Sequence, residues 1–208
     1  MKRSSRLGEI PSLCPLNFFA PSLSCRKKKI GQGKALYLLP HFTALLSEEH
    51  FADLYLAWTE QGISVWADIA KPFEKSNQTD WRRGDSLELF FDLRATKARG
   101  FLTRYCHHFV FFADHSHGME VSRFKFDDMH LLCDAALLEV QSRIKTGSYS
   151  MDITIGKEAL FGFDPNAVFS FAYRLNRYNG YPQHFCAPSE EAPLEKRPDL
   201  WAEMHFCE

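Results

Sequence analysis

Over most of its readable length the chain changes between apolar and polar side chains at every second residue, and it never sustains the rhythm of an amphipathic helix. A period of two turns successive side chains to opposite faces of an extended backbone, so the pattern predicts strands and excludes a helical bundle. Residues 52–58 and 63–69 alternate on either side of Thr59-Glu60-Gln61-Gly62, which predicts a hairpin whose turn closes on glycine. Residues 85–94, 104–112, 120–126, 149–155, 168–177 and 201–207 alternate in the same way. The segment 135–145 begins with helix-compatible residues, but Leu138, Val140, Ser142 and Ile144 then follow strand spacing into Thr146-Gly147. Residues 157–161, stopped by Gly162, predict a single helical turn. Residues 178–200 contain Pro182, Pro188, Pro193 and Pro198 and predict a long loop before the last strand, a length more often functional than not. Many short strands separated by turns predict an all-β fold, an antiparallel jelly-roll-like β-sandwich formed by residues 1–208 as one domain. The 19 Phe among 208 residues suit that fold, because aromatic side chains favour strands and fill a sandwich interior.

Sorting each strand by parity gives one apolar and one polar row. Ile63, Val65, Ala67 and Ile69 oppose Ser64, Trp66 and Asp68; Leu87, Leu89, Phe91 and Leu93 oppose Ser86, Glu88, Phe90, Asp92 and Arg94. Met151, Ile153 and Ile155 oppose Ser150, Asp152 and Thr154; Phe169, Phe171, Tyr173 and Leu175 oppose Ser170, Arg174 and Asn176. Tyr105, His107, Phe109 and Phe111 oppose Arg104, Cys106 and His108. Two readings of the combined polar rows stand side by side. They form either a solvated sheet face with charges paired across strands, or a binding face in which Arg, Asn, His and aromatic groups grip a polar ligand. In the second reading Arg94, Arg104 and Arg174 converge with Glu88 and Asp92 on one surface.

Charge and targeting exclude several classes. With 25 basic and 26 acidic residues the net charge is -1, which gives no general pull toward nucleic acid. No apolar run reaches the ~18 residues of a spanning helix, so no membrane span is expected. Residues 7–23 carry Glu9, Asn17 and three prolines, which disrupts the apolar run a secretory signal requires; the expected place is the cytoplasm, with reduced thiols. The basic run from Arg26 to Lys29 reads as a solvated turn. Glu88 and Asp92 lie about 13 Å apart along a strand, too far for either glycosidase geometry without a third acid such as Asp152. Cys106 and His107 point to opposite faces and cannot form a nucleophilic pair, and Cys106 with His108 lacks an activating third group. Met119 and the histidines do not assemble a haem site. Asp114-His115-Ser116-His117, with His107 and His108 nearby, is a candidate metal cluster whose plainer reading is a polar turn.

One stretch carries a family resemblance. Trp81-Arg82-Arg83-Gly84-Asp85-Ser86-Leu87-Glu88-Leu89-Phe90-Phe91-Asp92-Leu93-Arg94 resembles the W-x-x-(G)-D-S-[VL]-E-[LI]-[FY]-[IF]-D-x-R segment of family-nine carbohydrate-binding modules and their DOMON-like relatives. Residues 149–160 and 169–178 are similar to that family's later strand, helical turn and R-[IL]-N-R strand, and Arg104-Tyr105-Cys106-His107-His108-Phe109 resembles a bacterial sub-group. The resemblance spans residues 51–206. It implies a concave sheet face, non-catalytic binding of a carbohydrate or similar polyhydroxylated ligand, and often structural calcium; a protein-interaction module on the same scaffold is the alternative. The ligand contacts expected from the polar rows together with the signature are Trp66, Trp81, Glu88, Asp92, Arg94, Arg104, His108, Arg174 and Asn176. Phe185, in Phe185-Cys186-Ala187-Pro188, stands where the family has a stacking Trp, and Trp201-Ala202 reads as a packing position.

Overall fold

The computed structural model of the chain describes residues 23–29, 31–98, 100–125, 127–186 and 193–208. The signal-like segment, Cys14, Phe126 and Ala187-Pro188 lie outside them. The strands are β1 (Leu23–Lys27), β2 (Ala52–Thr59), β3 (Gly62–Ile69), β4 (Ser86–Asp92), β5 (Cys106–Phe111), β6 (Met119–Glu120), β7 (Leu138–Ile144), β8 (Tyr149–Gly156), β9 (Val168–Asn176), β10 (Gln183–His184) and β11 (Ala202–Cys207). Helical structure among the described residues is limited to short 3-10 turns, one of them Lys157–Ala159 where a helical turn is predicted. The fold is all-β.

The pairing order is β6-β5-β4-β9-β11-β1-β2-β3-β8-β7, with β10 beside β9. A bridge between His117 and Glu139 joins the two ends, supported by Gly118 N–H to Leu138 O and Val140 N–H to Ser116 O, both 2.8 Å. The strands therefore form one nearly closed, barrel-like sheet where two antiparallel sheets are expected. Closure has a physical advantage, since it leaves fewer unpaired edge groups. A second correction is β1, which pairs in parallel with both β11 and β2. Its basic end hides it in the sequence. Arg26 and Lys27 belong to this strand and not to a turn, and Lys27 lies over the Trp58 ring at 5.2 Å while bonding Glu60 at 2.6 Å.

The apolar rows meet in the interior as their parity requires. Phe91 contacts Phe109, Phe169 and Phe171, and the inward residues of β3, β4, β8 and β9 join the same core. At the β2–β3 turn Gly62 has φ +136°, and a Cβ there would come within 2.0 Å of Ile155 O, so glycine is required. The predicted strand at 120–126 shrinks to Met119–Glu120. The long loop contains β10, where Gln183 is buried and tied to β2: its Oε1 accepts from Phe51 N (2.8 Å) and Ala52 N (3.0 Å), and its Nε2 donates to Ala52 O (2.8 Å).

The same loop changes the expected polar face. Phe90, Cys106 and Ala172, from the outer rows of β4, β5 and β9, are covered by Leu194, Leu200 and Trp201, with Leu102 completing a second small core. This part of the outer face is consequently packed, while the end near Glu88 retains a cleft.

Candidate functional site

The signature segment divides into scaffold and chemistry. Asp85 ties the β3–β4 connection to the segment after β9: Oδ2 accepts from Glu74 N (2.6 Å) and Lys75 N (3.1 Å), and Oδ1 accepts from Tyr178 N (3.0 Å). A Cβ on Gly84 would meet Asn77 N at 2.6 Å, and the Ser86 hydroxyl donates to Trp81 O at 2.7 Å. The Asn77 side-chain oxygen shapes the preceding turn by accepting from Thr79 N (3.2 Å) and Asp80 N (3.0 Å). These contacts hold the turn Trp81–Arg83 over β4.

Below that turn lies Glu88, fully buried. Its Oε2 accepts from Trp81 Nε1 (3.0 Å), His108 Nε2 (2.8 Å) and Arg82 Nη2 (3.2 Å). Its Oε1 accepts from Arg82 Nε (3.2 Å) and Asn176 Nδ2 (2.9 Å), with Arg174 Nε at 3.8 Å. Register explains the convergence, because Glu88 lies directly opposite Arg174 and one step from Phe90, whose neighbour is His108. Burial alone would raise the Glu88 carboxyl, but His108 and Arg82 outweigh it and hold it well below the usual carboxylate range. Arg82 reaches onward to Glu195 at 2.9 and 3.3 Å. The cleft above, about 310 Å³, is lined by Trp81, Arg82, His108, Arg123 and Glu195 among others. It is at the small end of ligand sites.

Five of the expected contacts, Trp81, Glu88, His108, Arg174 and Asn176, are thus brought together. The others are not. Trp66 on β3 faces Tyr55 and Asp152 on neighbouring strands and packs near Tyr37, on a different part of the sheet from Glu88. Asp92 shapes the turn after β4, accepting from Thr96 Oγ1 (2.7 Å) and Lys97 N (3.2 Å). Arg94 pairs with Asp164 at 3.3 Å and Arg104 pairs with Asp128. The expected convergence of three arginines is therefore corrected: Asp92 pairs with Cys106, so Arg94 and Arg104 lie beyond that end of the strands, away from Glu88. Phe185 is fully buried, stacked on Tyr173 at 5.4 Å, and has no ligand-facing surface. Sequence reasoning missed Arg82, although it stands inside the signature, and Glu195, which reaches the site only through the fold of the long loop.

The candidate metal turn does not assemble. Asp114 bonds His115 (2.7 Å) and Ser76 (2.7 Å), and Ser116 bonds His117 (2.9 Å). Among the described residues the group that converges as a metal site would is His107, Glu120 and His130. Calcium takes six to eight oxygens, so a set of two imidazoles and one carboxylate does not fit the structural calcium implied by the resemblance. The described cysteines are all free. Burial pushes the Cys106 thiol up to about 12, with Asp92 adding to the effect, and burial pushes Cys186 up to about 12. A disulfide-forming thiol reagent is therefore expected to label Cys106 and Cys186 only on unfolding; rapid labelling of either in the native protein would contradict their burial.

By sequence, no family model and no curated protein matches the chain. By structure, a family 9 carbohydrate-binding module from Caldicellulosiruptor kristjanssonii in complex with cellotriose superposes with a TM-score of 0.65 at 13% identity, covering 89% of this chain and 93% of that one. The fold is that of a family-nine carbohydrate-binding module. The glucose complex of the C. kristjanssonii module gives a TM-score of 0.66 at 13% identity, over 90% of this chain and 96% of that one. A candidate carbohydrate-binding protein from Bacteroides uniformis superposes on this chain with a TM-score of 0.57 at 10% identity, over 89% of this chain and 99% of that one. No helix among the described residues is long and apolar enough to cross a membrane.

Proposed function

We propose that the chain is a non-catalytic carbohydrate-binding module that takes a sugar, or a similar polyhydroxylated ligand, in the cleft above Glu88. The observation that carries this reading is the buried carboxylate itself. It is locked by four side chains, so the partly exposed Trp81 ring and the Arg82 guanidinium at the cleft are held in fixed positions. An aromatic face beside a rigid fork of donors suits a ring of carbons carrying hydroxyls. Glu195, gripped by Arg82, adds acceptor oxygens to the lining of the cleft. The likeness to modules solved with glucose and cellotriose supports the same class of ligand. Asp152, the third acid a paired-carboxylate hydrolase would need beside Glu88 and Asp92, lies on β8, opposite Trp66 and away from Glu88. The free described thiols support a reducing, cytoplasmic setting.

Calorimetric titration with glucose and cellotriose tests the proposal. Binding is expected for at least one of them, and Trp81→Ala should weaken it by about tenfold or more, equivalent to ~1.4 kcal/mol. Arg174→Ala should also lose affinity yet melt within a few degrees of wild type, because Glu88 keeps Arg82, His108, Trp81 and Asn176. Absence of heat with both sugars at millimolar concentration, or binding indifferent to Trp81→Ala, would overturn the assignment.

A further inference from the structure

On the inner side of β5, away from the sugar cleft, two imidazoles meet one carboxylate. The His107 and Glu120 side chains have no exposure and that of His130 has 4%. Glu120 Oε1 lies 3.0 Å from His107 Nδ1 and 2.8 Å from His130 Nε2. The outer nitrogens face backbone carbonyls: His107 Nε2 is 3.3 Å from Phe161 O, and His130 Nδ1 is 2.6 Å from Arg104 O. All four contacts of the two rings are thus with oxygens that accept. A neutral imidazole carries one N–H. Carbonyl and carboxylate oxygens can only accept, so each neutral ring donates to one of them; with the N–H on the outer nitrogen, toward the carbonyl, the inner lone pair points at the carboxylate oxygen. That oxygen is also within 2.8 Å of the Ser122 hydroxyl, while the Cys133 N–H donates to Oε2 at 2.9 Å.

Such a convergence calls for positive charge at its centre. The two rings lie 4.3 Å apart, and one divalent cation held between their inner nitrogens and the carboxylate supplies it. We propose that His107 Nδ1, His130 Nε2 and Glu120 form a binding site for a zinc-class transition-metal ion. The ligand atoms lie within 4.8 Å of one another, and the nitrogen-rich set matches zinc and not calcium. A ligating histidine typically donates its other N–H to a carbonyl or carboxylate, which is how Phe161 O and Arg104 O are placed. Because the three side chains are sealed from solvent, the ion is structural. It ties β5 and β6 to the stretch 121–134, whose described residues before 135 form no strand or helix and which leaves Met129, Leu131 and Leu132 exposed.

The test uses the full chain, stripped with a chelator and dialysed against micromolar zinc or calcium. Elemental analysis should find one zinc per chain and no calcium at this site, and zinc should raise the melting temperature. His130→Ala and Glu120→Gln should each lower zinc affinity by at least the roughly 10–100-fold that loss of a mere supporting partner costs, whereas His117→Ala, in the polar turn, should bind as wild type does. His130 stands outside the strands, so its replacement leaves the core in place, and circular dichroism verifies that. A stripped wild-type protein that takes up no zinc and shows no thermal shift would overturn the site, as would zinc binding unaffected by His130→Ala.

Discussion

Trp201→Ala is expected to destabilise the protein by about 3–5 kcal/mol, the range for truncating a fully buried large aromatic. At ~2–4 °C per kcal/mol for a chain of this size, the melting temperature should fall by about 6–20 °C. The Trp201 ring has no exposure, packs against Phe90 at 5.6 Å and donates from Nε1 to Leu194 O at 3.0 Å. Its removal leaves a cavity in the small outer core and frees the 3-10 turn Leu194–Lys196 that carries Glu195. Sugar affinity should therefore fall together with stability, although Trp201 does not line the cleft. Thermal unfolding and titration on the same sample check both. A near-normal melting temperature would mean that the loop is not docked as described.

Glu88→Ala should cost a comparable ~3–5 kcal/mol, because it leaves buried donors of Arg82, His108, Asn176 and Trp81 without their acceptor. The conservative Glu88→Gln separates charge from shape through its pH dependence. The folded-state pKa of Glu88 is depressed, so the folded protein binds fewer protons than the unfolded chain on the acid side. The stabilisation from the carboxylate is thus fully present above the unfolded carboxyl value of about 4.3 and is lost as pH falls below it toward the folded value. The stability advantage of wild type over Glu88→Gln should be constant near neutrality and shrink from about pH 5 downward. Chemical denaturation at several pH values measures it, and an advantage that does not shrink on acidification would show that Glu88 is not held as a carboxylate.

The relation of sequence to structure differs between the two rows of each strand. The inward rows of β3, β4, β8 and β9 were legible because an apolar side chain at every second position has one favourable destination. On the outward rows the same rule located side chains on a face but not their neighbours. Glu88 and Arg174 meet because β4 and β9 are adjacent and in register, whereas Trp66, equally outward on β3, is separated from them by the intervening β11, β1 and β2. Phe185 was misplaced for a related reason. Its likeness to a stacking position came from order along the chain, while the burial of Gln183 against β2 draws that part of the loop inward.

By itself, then, the sequence determined the all-β class, the hairpin at Gly62, the inward rows and the signature that positions Trp81 and Glu88. These depend on side-chain direction along a strand and on turn chemistry, both set within a few residues. Tertiary structure alone decided the near-closure of the sheet, the parallel insertion of β1, the arrival of Glu195 over Arg82, and the meeting of His107, Glu120 and His130. Those depend on which strands become neighbours and where loops dock, and such pairings lower the free energy only through contacts between residues far apart in the chain.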